Sequence, residues 1–480
     1  SARGAREVFR GGAPRSTCST DRIGDAGASS RPGRDGVRLS RHRSAPRTRR
    51  SLRTETALRD RFRGSVRTDD RRRGCAPAGC PARQAPGMNE LSEAPRMTER
   101  LNVLLVIESS GGGSGRHVLD LAESLAERGH AITLAFSPLR LERSFAERLR
   151  MLGQYGKIEI CEVPMERSVG ASDVRAFALL WKLVRQAGPF DILHAHSSKA
   201  GALLRMLPAT PAARVYTPHA LRIMDPDIGR ASRVLYSSIE RFLGRFRSEA
   251  IIAVSPVEAD VCREIGIPAE LVATVINGVD APASLPARAP DCVEEYPGDV
   301  VFGFVGRLCH QKAPMRLIEA FEELDQSRVS SRLVIVGGGE DHEALERRIA
   351  SGAVQDRITL VGECDAADWF PIFDVFVLPS RYEAMPYVLL EAAACGLPIV
   401  STEVGGAEVV IDHECNGLIV DQAASVTGLR EALARCLDPA FLGRLRNGAA
   451  QRRERFTRAH MVDSTERVYI EALRRRRGEP

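Results

Sequence analysis

The stretch LNVLLVIESSGGGSGRHVLDLAESLAERGHAITLAF, residues 101–136, decides how the rest of the chain is read. Residues 101–107 form a short apolar run, the pattern of a parallel strand buried on both faces. A glycine loop, Gly111 to Gly115, follows. Residues 117–128 repeat their apolar positions at helical spacing and stop at Gly129, which suits a helix end. Residues 131–136 are the next strand. Strand, glycine loop, helix and strand in succession make a βαβ unit.

The same alternation extends outward. Strands are expected at residues 158–163, 191–196, 214–218, 250–255 and 273–276, with helical patterns between most of them. Such alternation implies a parallel sheet with helices on both faces. A Pro/Ala-rich stretch, residues 280–290, breaks the pattern and reads as an interdomain linker. A second set follows, with strands at 300–305, 332–336, 358–361, 374–378, 398–401 and 417–420. A chain of 480 residues exceeds what one core usually serves. The reading is therefore an Arg-rich extension (1–96), an N-terminal Rossmann-like domain (97–283), a C-terminal Rossmann-like domain (284–460) and a terminal segment (461–480). Residues 461–477 of that segment read as a helix with a basic end, placed to cross back to the first domain. Two such sheets leave a cleft between them, and ligands bind beyond the carboxyl ends of the strands.

The formal charge of +6 conceals a split. Residues 1–96 hold 23 Arg, no Lys and 10 acidic residues, a net +13, so the remainder carries −7. A nucleic-acid reading would rest on the extension alone. That extension is rich in Arg, Gly, Pro and Ser without an apolar period, so it is expected to be disordered. Met88 and Met97 lie just ahead of the first strand. An inert tail or upstream start-site addition is the reading preferred over a tail for nucleic acid or anionic membrane. Eleven cysteines, an odd count, lack paired spacing, and Cys75 and Cys80 have no partner pair at zinc spacing. Reduced thiols in the cytoplasm account for them. No apolar run is long enough to span a bilayer, and no secretory signal block opens the chain.

The strongest chemical signal is residues 380–398, SRYEAMPYVLLEAAACGLP. Glu383 follows a strand and Glu391 lies in the next helix. If the segment between them were helical, the carboxylates would sit roughly 12 Å apart, about the length of a hexose and a ribose joined by a diphosphate. The helix start near Pro386 offers free N–H groups for that diphosphate. Residues 305–312, VGRLCHQK, place Gly306 at a strand end and Arg307 and Lys312 on the loop beyond it, two cations for a diphosphate leaving group. Gly337 to Gly339 mark another strand end that permits close backbone approach.

The Gly111–Gly115 loop fails as a dinucleotide fingerprint, because Arg116 stands where a third glycine belongs and no acid clearly ends the second strand. A flexible loop over a phosphate or an acceptor hydroxyl fits better. His194 and His196 are expected to face opposite ways on their strand, one of them structural. His219, beside Pro218, is the candidate cleft residue. Asp225-Pro226-Asp227 reads as a turn. No His, Asp or Cys set has metal-ligand spacing, so no metal is expected.

Together these motifs resemble the family 4 retaining glycosyltransferases of the GT-B fold. The resemblance covers residues 101 to about 475 and includes GGGSGRHVLDLAESLAERGH (111–130), DILHAHSSKAG (191–201) and VYTPHA (215–220). It is similar to bacterial enzymes of exopolysaccharide and lipopolysaccharide assembly. The resemblance implies that Arg307 and Lys312 bind the donor diphosphate, Glu391 the ribose, and Glu383 the hydroxyls of the transferred sugar. His219 would touch that sugar near its reacting face. Gly113, Ser114 and Gly115 would line the diphosphate or acceptor side, and backbone near Gly338 and Gly362 would meet the base. Gly306, Ala384, Met385 and Pro386 complete the donor-binding set. Ala384 and Ala313 depart from the family, which has glycine at both positions.

The implied reaction is metal-independent transfer from a UDP- or GDP-linked sugar, without a cofactor, with retention through same-face attack. The acceptor would be a saccharide or a lipid-linked one. Residues 139–150 intersperse Arg140, Arg143, Arg148 and Arg150 with Leu141, Phe145 and Leu149, a pattern compatible with an anionic membrane or with a solvated helix face. The expected location is the cytoplasm, at the inner face of the membrane. The alternatives are a sugar-nucleotide epimerase on the same fold and a catalytically inactive sugar-nucleotide-binding scaffold.

Overall fold

The computed structural model describes residues 99–479 apart from 155, 157, 281–297 and 325–329. The expected extension, 1–96, and nearly all of the expected linker lie outside the described residues.

The first half carries strands β1 (Asn102–Ile107), β2 (Ala131–Phe136), β3 (Ile158–Glu162), β4 (Ile192–His196), β5 (Ala213–Thr217), β6 (Ala250–Ala253) and β7 (Val272–Thr274). Its helices are α1 (Gly112–Glu127), α2 (Arg143–Gln154), α3 (Ser172–Gln186), α4 (Ser198–Met206), α5 (Arg230–Phe246) and α6 (Pro256–Glu264). The second half carries β8 (Val300–Val305), β9 (Ser331–Val336), β10 (Ile358–Gly362), β11 (Val375–Leu378), β12 (Ile399–Thr402) and β13 (Gly417–Val420). With them run α7 (Pro314–Glu322), α8 (His342–Ala350), α9 (Tyr387–Ala394), α10 (Ala407–Val410), α11 (Ser425–Cys436), α12 (Pro439–Ala450) and α13 (Arg458–Arg477).

Both sheets are parallel, in the orders β3-β2-β1-β4-β5-β6-β7 and β10-β9-β8-β11-β12-β13. In each, the chain reverses its direction of travel across the sheet at one point, between β1 and β4 and between β8 and β11. Crevices open at such points, beyond the strand ends. The Gly111–Arg116 segment and the His194–His196 strand end flank the first crevice. The Gly306–Lys312 loop and the Ser380–Pro386 turn flank the second.

Each sheet is covered on both faces, which is why its strands read as continuous apolar runs. The last helix, α13, belongs to the core of the first half. Met461, Val462, Tyr469 and Ala472 are at most 1 % exposed there, packed with residues of β1, α1 and β5. A parallel bridge, Val279 to Thr457, joins the chain leaving the first half to the start of α13.

The glycine segment is not a flexible loop. Gly112 to Gly115 form the first turn of α1. A Cβ on Gly115 would stand 1.9 Å from the carbonyl oxygen of Ser110, so only glycine lets the helix start so close to the strand before it.

Of the two readings of residues 139–150, the structure shows the solvated helix face, with Arg143 and Arg150 exposed. Phe145, Leu149 and Leu152 turn inward and are at most 7 % exposed, sharing the core of β1 and β2. Arg148 is held by Asp120 at 2.7 Å and Glu123 at 2.8 Å. The amphipathic period of α2 thus records packing against the sheet. Among the described residues no helix is long and apolar enough to cross a membrane.

Candidate active site

The second half supplies a buried acid–base pair. Lys312 Nζ lies 2.7 Å from Glu383 Oε1, with the two side chains 18 % and 9 % exposed. Ser380 Oγ donates to the same oxygen at 2.9 Å, and Gln311 Nε2 donates to Glu383 Oε2 at 3.4 Å and to the Tyr382 carbonyl at 3.1 Å. The pairing of β8 with β11 brings these two loops together. The Gly338 carbonyl accepts from Leu308 N at 2.8 Å, which joins that turn to the Gly306 loop, and the Gly362 carbonyl accepts from Gly337 N at 2.8 Å, which joins the two glycine turns to each other. Ala313 caps α7 in the left-handed region, at φ 48° and ψ 48°. An L-residue there costs roughly 1–2 kcal/mol, which gives a physical reason for glycine at that position.

Glu383 and Glu391 do not share one helix. Only Tyr387–Ala394 is helical, and Pro386 is its cap. Proline lacks an N–H and biases the residue before it, Met385, towards extended backbone. Residues 380–386 instead form a turn pinned by Thr402 Oγ1 on the Ser380 carbonyl at 2.6 Å. Ala384 and Met385 are buried in it. The helical length estimate therefore does not apply to this span.

The first half supplies a histidine cluster. His194 and His196 face the same way, with ring centroids 4.0 Å apart. A strand repeats every two residues, so positions i and i+2 share a face, which corrects the expectation that they oppose. His194 is tied to Tyr469 Oη at 2.7 Å and Thr217 Oγ1 at 2.8 Å. His196 Nδ1 meets His219 Nε2 at 3.1 Å, and its buried Nε2 has no partner. His117 Nδ1 lies 3.0 Å from Asn277 Oδ1 and 3.2 Å from Tyr387 Oη. Burial pushes His117 down to about 4. Burial, with the neighbouring imidazoles adding to it, holds His194, His196 and His219 well below the usual histidine range. The cluster is uncharged at neutral pH. His117, His196 and His219 each offer a ligand nitrogen within 4.8 Å of the others, so this trio could hold a metal ion. Sequence spacing offered no such set, because His117 comes from α1, His196 from the end of β4 and His219 from the turn after β5.

Tyr387 and Asn277 join the halves. Asn277 Nδ2 donates to the Met385 carbonyl at 3.3 Å, so the histidine cluster abuts the start of α9. Arg116 pairs with Glu391, lies 3.6 Å from Asp120, and sits 5.0 Å over the Tyr387 ring. Gly113 packs beneath that ring. Glu142 is bracketed by Gly112 N at 2.9 Å and Arg307 Nη2 at 3.2 Å. A helix-start N–H and a guanidinium converging on one carboxylate make an anion site. Asp225 Oδ1 accepts from Asp227 N at 3.0 Å, the expected turn, and Asp227 Oδ2 lies 3.1 Å from His310 Nε2 across the halves.

Comparison with known proteins bears directly on this arrangement. Residues 111–281 match the family model "Glycosyltransferase Family 4", and residues 299–439 match "Glycosyl transferases group 1". A D-inositol 3-phosphate glycosyltransferase of Streptomyces bingchenggensis is 32 % identical over 314 residues, 60 % of this chain and 68 % of that protein. The chain belongs to glycosyltransferase family 4. An Escherichia coli UDP-Gal:alpha-D-GlcNAc-diphosphoundecaprenol alpha-1,3-galactosyltransferase is 29 % identical, covering 56 % of this chain and 72 % of the enzyme. Among solved structures, Anabaena HepE in complex with UDP aligns with a TM-score of 0.60 at 18 % identity, covering 76 % of this chain and 99 % of HepE. The fold is GT-B, as expected, and the protein is a glycosyltransferase.

In this transferase, Lys312 and Glu383 are in direct contact. Arg307 and Glu391 are each held by an opposite charge from the first half, and Ser114 lies in the first turn of α1. His219 stands at the histidine cluster, in the left-handed region at φ 55°. Arg116, His117, Glu142, Asn277, Gln311 and Tyr387 were not singled out as site residues from sequence. His117 lies on the buried face of α1, a polar residue at a core position, and that was the one local signal available.

Proposed function

We propose that this transferase moves a sugar, with retention of anomeric configuration, from a UDP- or GDP-linked donor to a hydroxyl of a saccharide or lipid-linked acceptor. The acceptor oxygen bonds to the anomeric carbon as the bond from that carbon to the phosphate oxygen breaks. The nucleoside diphosphate leaves, and the acceptor proton passes to its departing oxygen on the same face. Charge on the leaving diphosphate is the main electrostatic demand. Lys312, Arg307 and the start of α9 meet it without a metal or cofactor. Lys312 has three N–H donors, so it can hold Glu383 and a phosphate oxygen together. Glu383 binds hydroxyls of the transferred sugar, Glu391 the ribose, the Gly338 and Gly362 turns the base, and His219 the sugar's reacting side.

The observation that carries this reading is the Lys312–Glu383 pair at the β8/β11 crevice. The relatives' names support the wider setting: one acts on a diphosphoundecaprenol-linked acceptor with UDP-Gal, and HepE has been solved with UDP-glucose. The role proposed here is cell-surface polysaccharide or glycolipid assembly, at the cytoplasmic face of the membrane. A panel of UDP- and GDP-sugars, screened by calorimetry and followed by an acceptor assay on each hit, tests it. One donor class should bind and turn over. Binding of none would remove the reading.

A further inference from the structure

Helix α5 presents an apolar face that stays exposed among the described residues. Leu235, Ile239, Phe242 and Phe246, spaced by four, three and four residues, form one stripe along it. They are 58, 38, 57 and 65 % exposed, and Val234 beside them is 67 % exposed. Soluble surfaces scatter such side chains singly, whereas a contiguous exposed patch marks an interaction site.

The charges around this stripe select its partner. Arg230, Arg241 and Arg245 are exposed on the same helix, and the Arg245 guanidinium lies 5.7 Å from the Phe246 ring centre. The helix has one acidic residue, Glu240, which is turned inward and bound to Arg205 at 2.8 Å and to Tyr216 Oη at 3.2 Å. The opposite face is seated firmly. Leu243 is 4 % exposed, and a Cβ on Gly244 would stand 2.8 Å from Ile267. The outward face therefore combines bulky apolar groups with cations and no anion. That is the composition of a helix lying in the boundary of an anionic bilayer.

Its position links it to the cleft. Arg233 donates to the carbonyls of Ile223 and Asp225, tying the start of α5 to the turn whose Asp227 meets His310 of the other half. At the other end, Arg247 holds the Leu207 carbonyl beside Met206, itself 49 % exposed.

We propose that α5 is the membrane-docking surface of this transferase. Its Leu235–Ile239–Phe242–Phe246 stripe enters the headgroup–acyl boundary of an anionic bilayer, and Arg230, Arg241 and Arg245 meet lipid phosphates. Docking there sets the lip of the cleft against the membrane. The benefit for a lipid-linked acceptor rests on the function proposed above, but the docking itself does not.

The test uses the full chain and phosphatidylcholine vesicles with or without phosphatidylglycerol. In Phe242→Trp, the added emission should shift to the blue and be quenched by brominated lipid when phosphatidylglycerol is present. Phe242→Ser/Phe246→Ser should weaken vesicle co-sedimentation by about tenfold or more. Transfer to a soluble acceptor should stay unchanged in that variant, so failed docking is distinguishable from failed catalysis. An unquenched Phe242→Trp, or serine variants that bind vesicles like the parent, would overturn the proposal and assign lipid binding to another segment. A dimer in sedimentation that the serine variants dissolve, without any vesicle effect, would overturn it in favour of a contact between copies.

Discussion

The two halves of this molecule carry their chemistry in different ways. In the second half, the charged groups lie on two contiguous stretches after neighbouring strands, and Lys312 meets Glu383 because β8 pairs with β11. In the first half, neutral imidazoles from α1, the end of β4 and the turn after β5 converge, and none of them is meaningful alone. The Lys312–Glu383 site is built to meet charge, the histidine cluster to remain uncharged. The difference teaches that a diphosphate site can be local in sequence, because parallel strands deliver adjacent loops. An apolar-walled polar cluster is a tertiary product.

Loss of a charged group should affect turnover most. Glu383→Ala and Glu391→Ala should each lower kcat/KM by roughly 10²–10³, the usual range for removing a group that meets reacting substrate. Full turnover in either, measured with the identified donor, would erase the distinction between the halves.

The histidine cluster should appear in stability. His117 has a folded value of about 4 and an ordinary value of 6.5. Between these the unfolded chain binds the proton more readily, so its contribution is present above about pH 6.5 and is lost as pH falls. From pH 7 to pH 5 it should account for about 2 kcal/mol. Burial pushes Glu258 and Glu408 up to about 7, which works in the opposite direction. Comparing the parent with His117→Gln cancels them. Urea titrations should show a smaller acid loss in the variant, and equal losses would mean that His117 is not buried as described.

Smaller effects sharpen the contacts between the halves. Arg116→Ala frees Glu391 and should raise the donor KM by about three- to tenfold, since the pair is partly exposed. Glu142→Gln removes the carboxylate from the Gly112–Arg307 anion site and should tighten donor binding by about two- to fivefold, read by calorimetry. Chelation with EDTA should leave turnover unchanged. A loss restored by zinc would instead assign a metal to His117, His196 and His219.

The strands were legible because both faces of each sheet are buried, so runs such as residues 101–107 and 300–305 stand out without alternation. The Lys312 and Glu383 loops were legible because each follows directly on such a strand. Particulars read differently include Gly112–Gly115, a helix turn rather than a flexible loop. Pro386 stops helix from reaching back to Glu383. The two-residue repeat sets His194 beside His196. The amphipathic period of α2 faces the core, whereas that of α5 faces outward, and periodicity alone does not distinguish the two. Arg116 and Glu142 were hidden for another reason. Their partners, Glu391 and Arg307, lie in the other half, and no local pattern encodes a pairing across a cleft.

The most direct test is calorimetry of UDP and GDP on the parent and on Lys312→Ala. A charge-assisted hydrogen bond contributes about 1.5–3 kcal/mol, so binding of the preferred nucleotide should weaken by roughly 10- to 100-fold in a variant that melts at a lower temperature, because Glu383 loses its counter-charge, but is folded under the assay conditions. Equal affinity in a folded Lys312→Ala variant would contradict the claim that this lysine meets the donor's diphosphate.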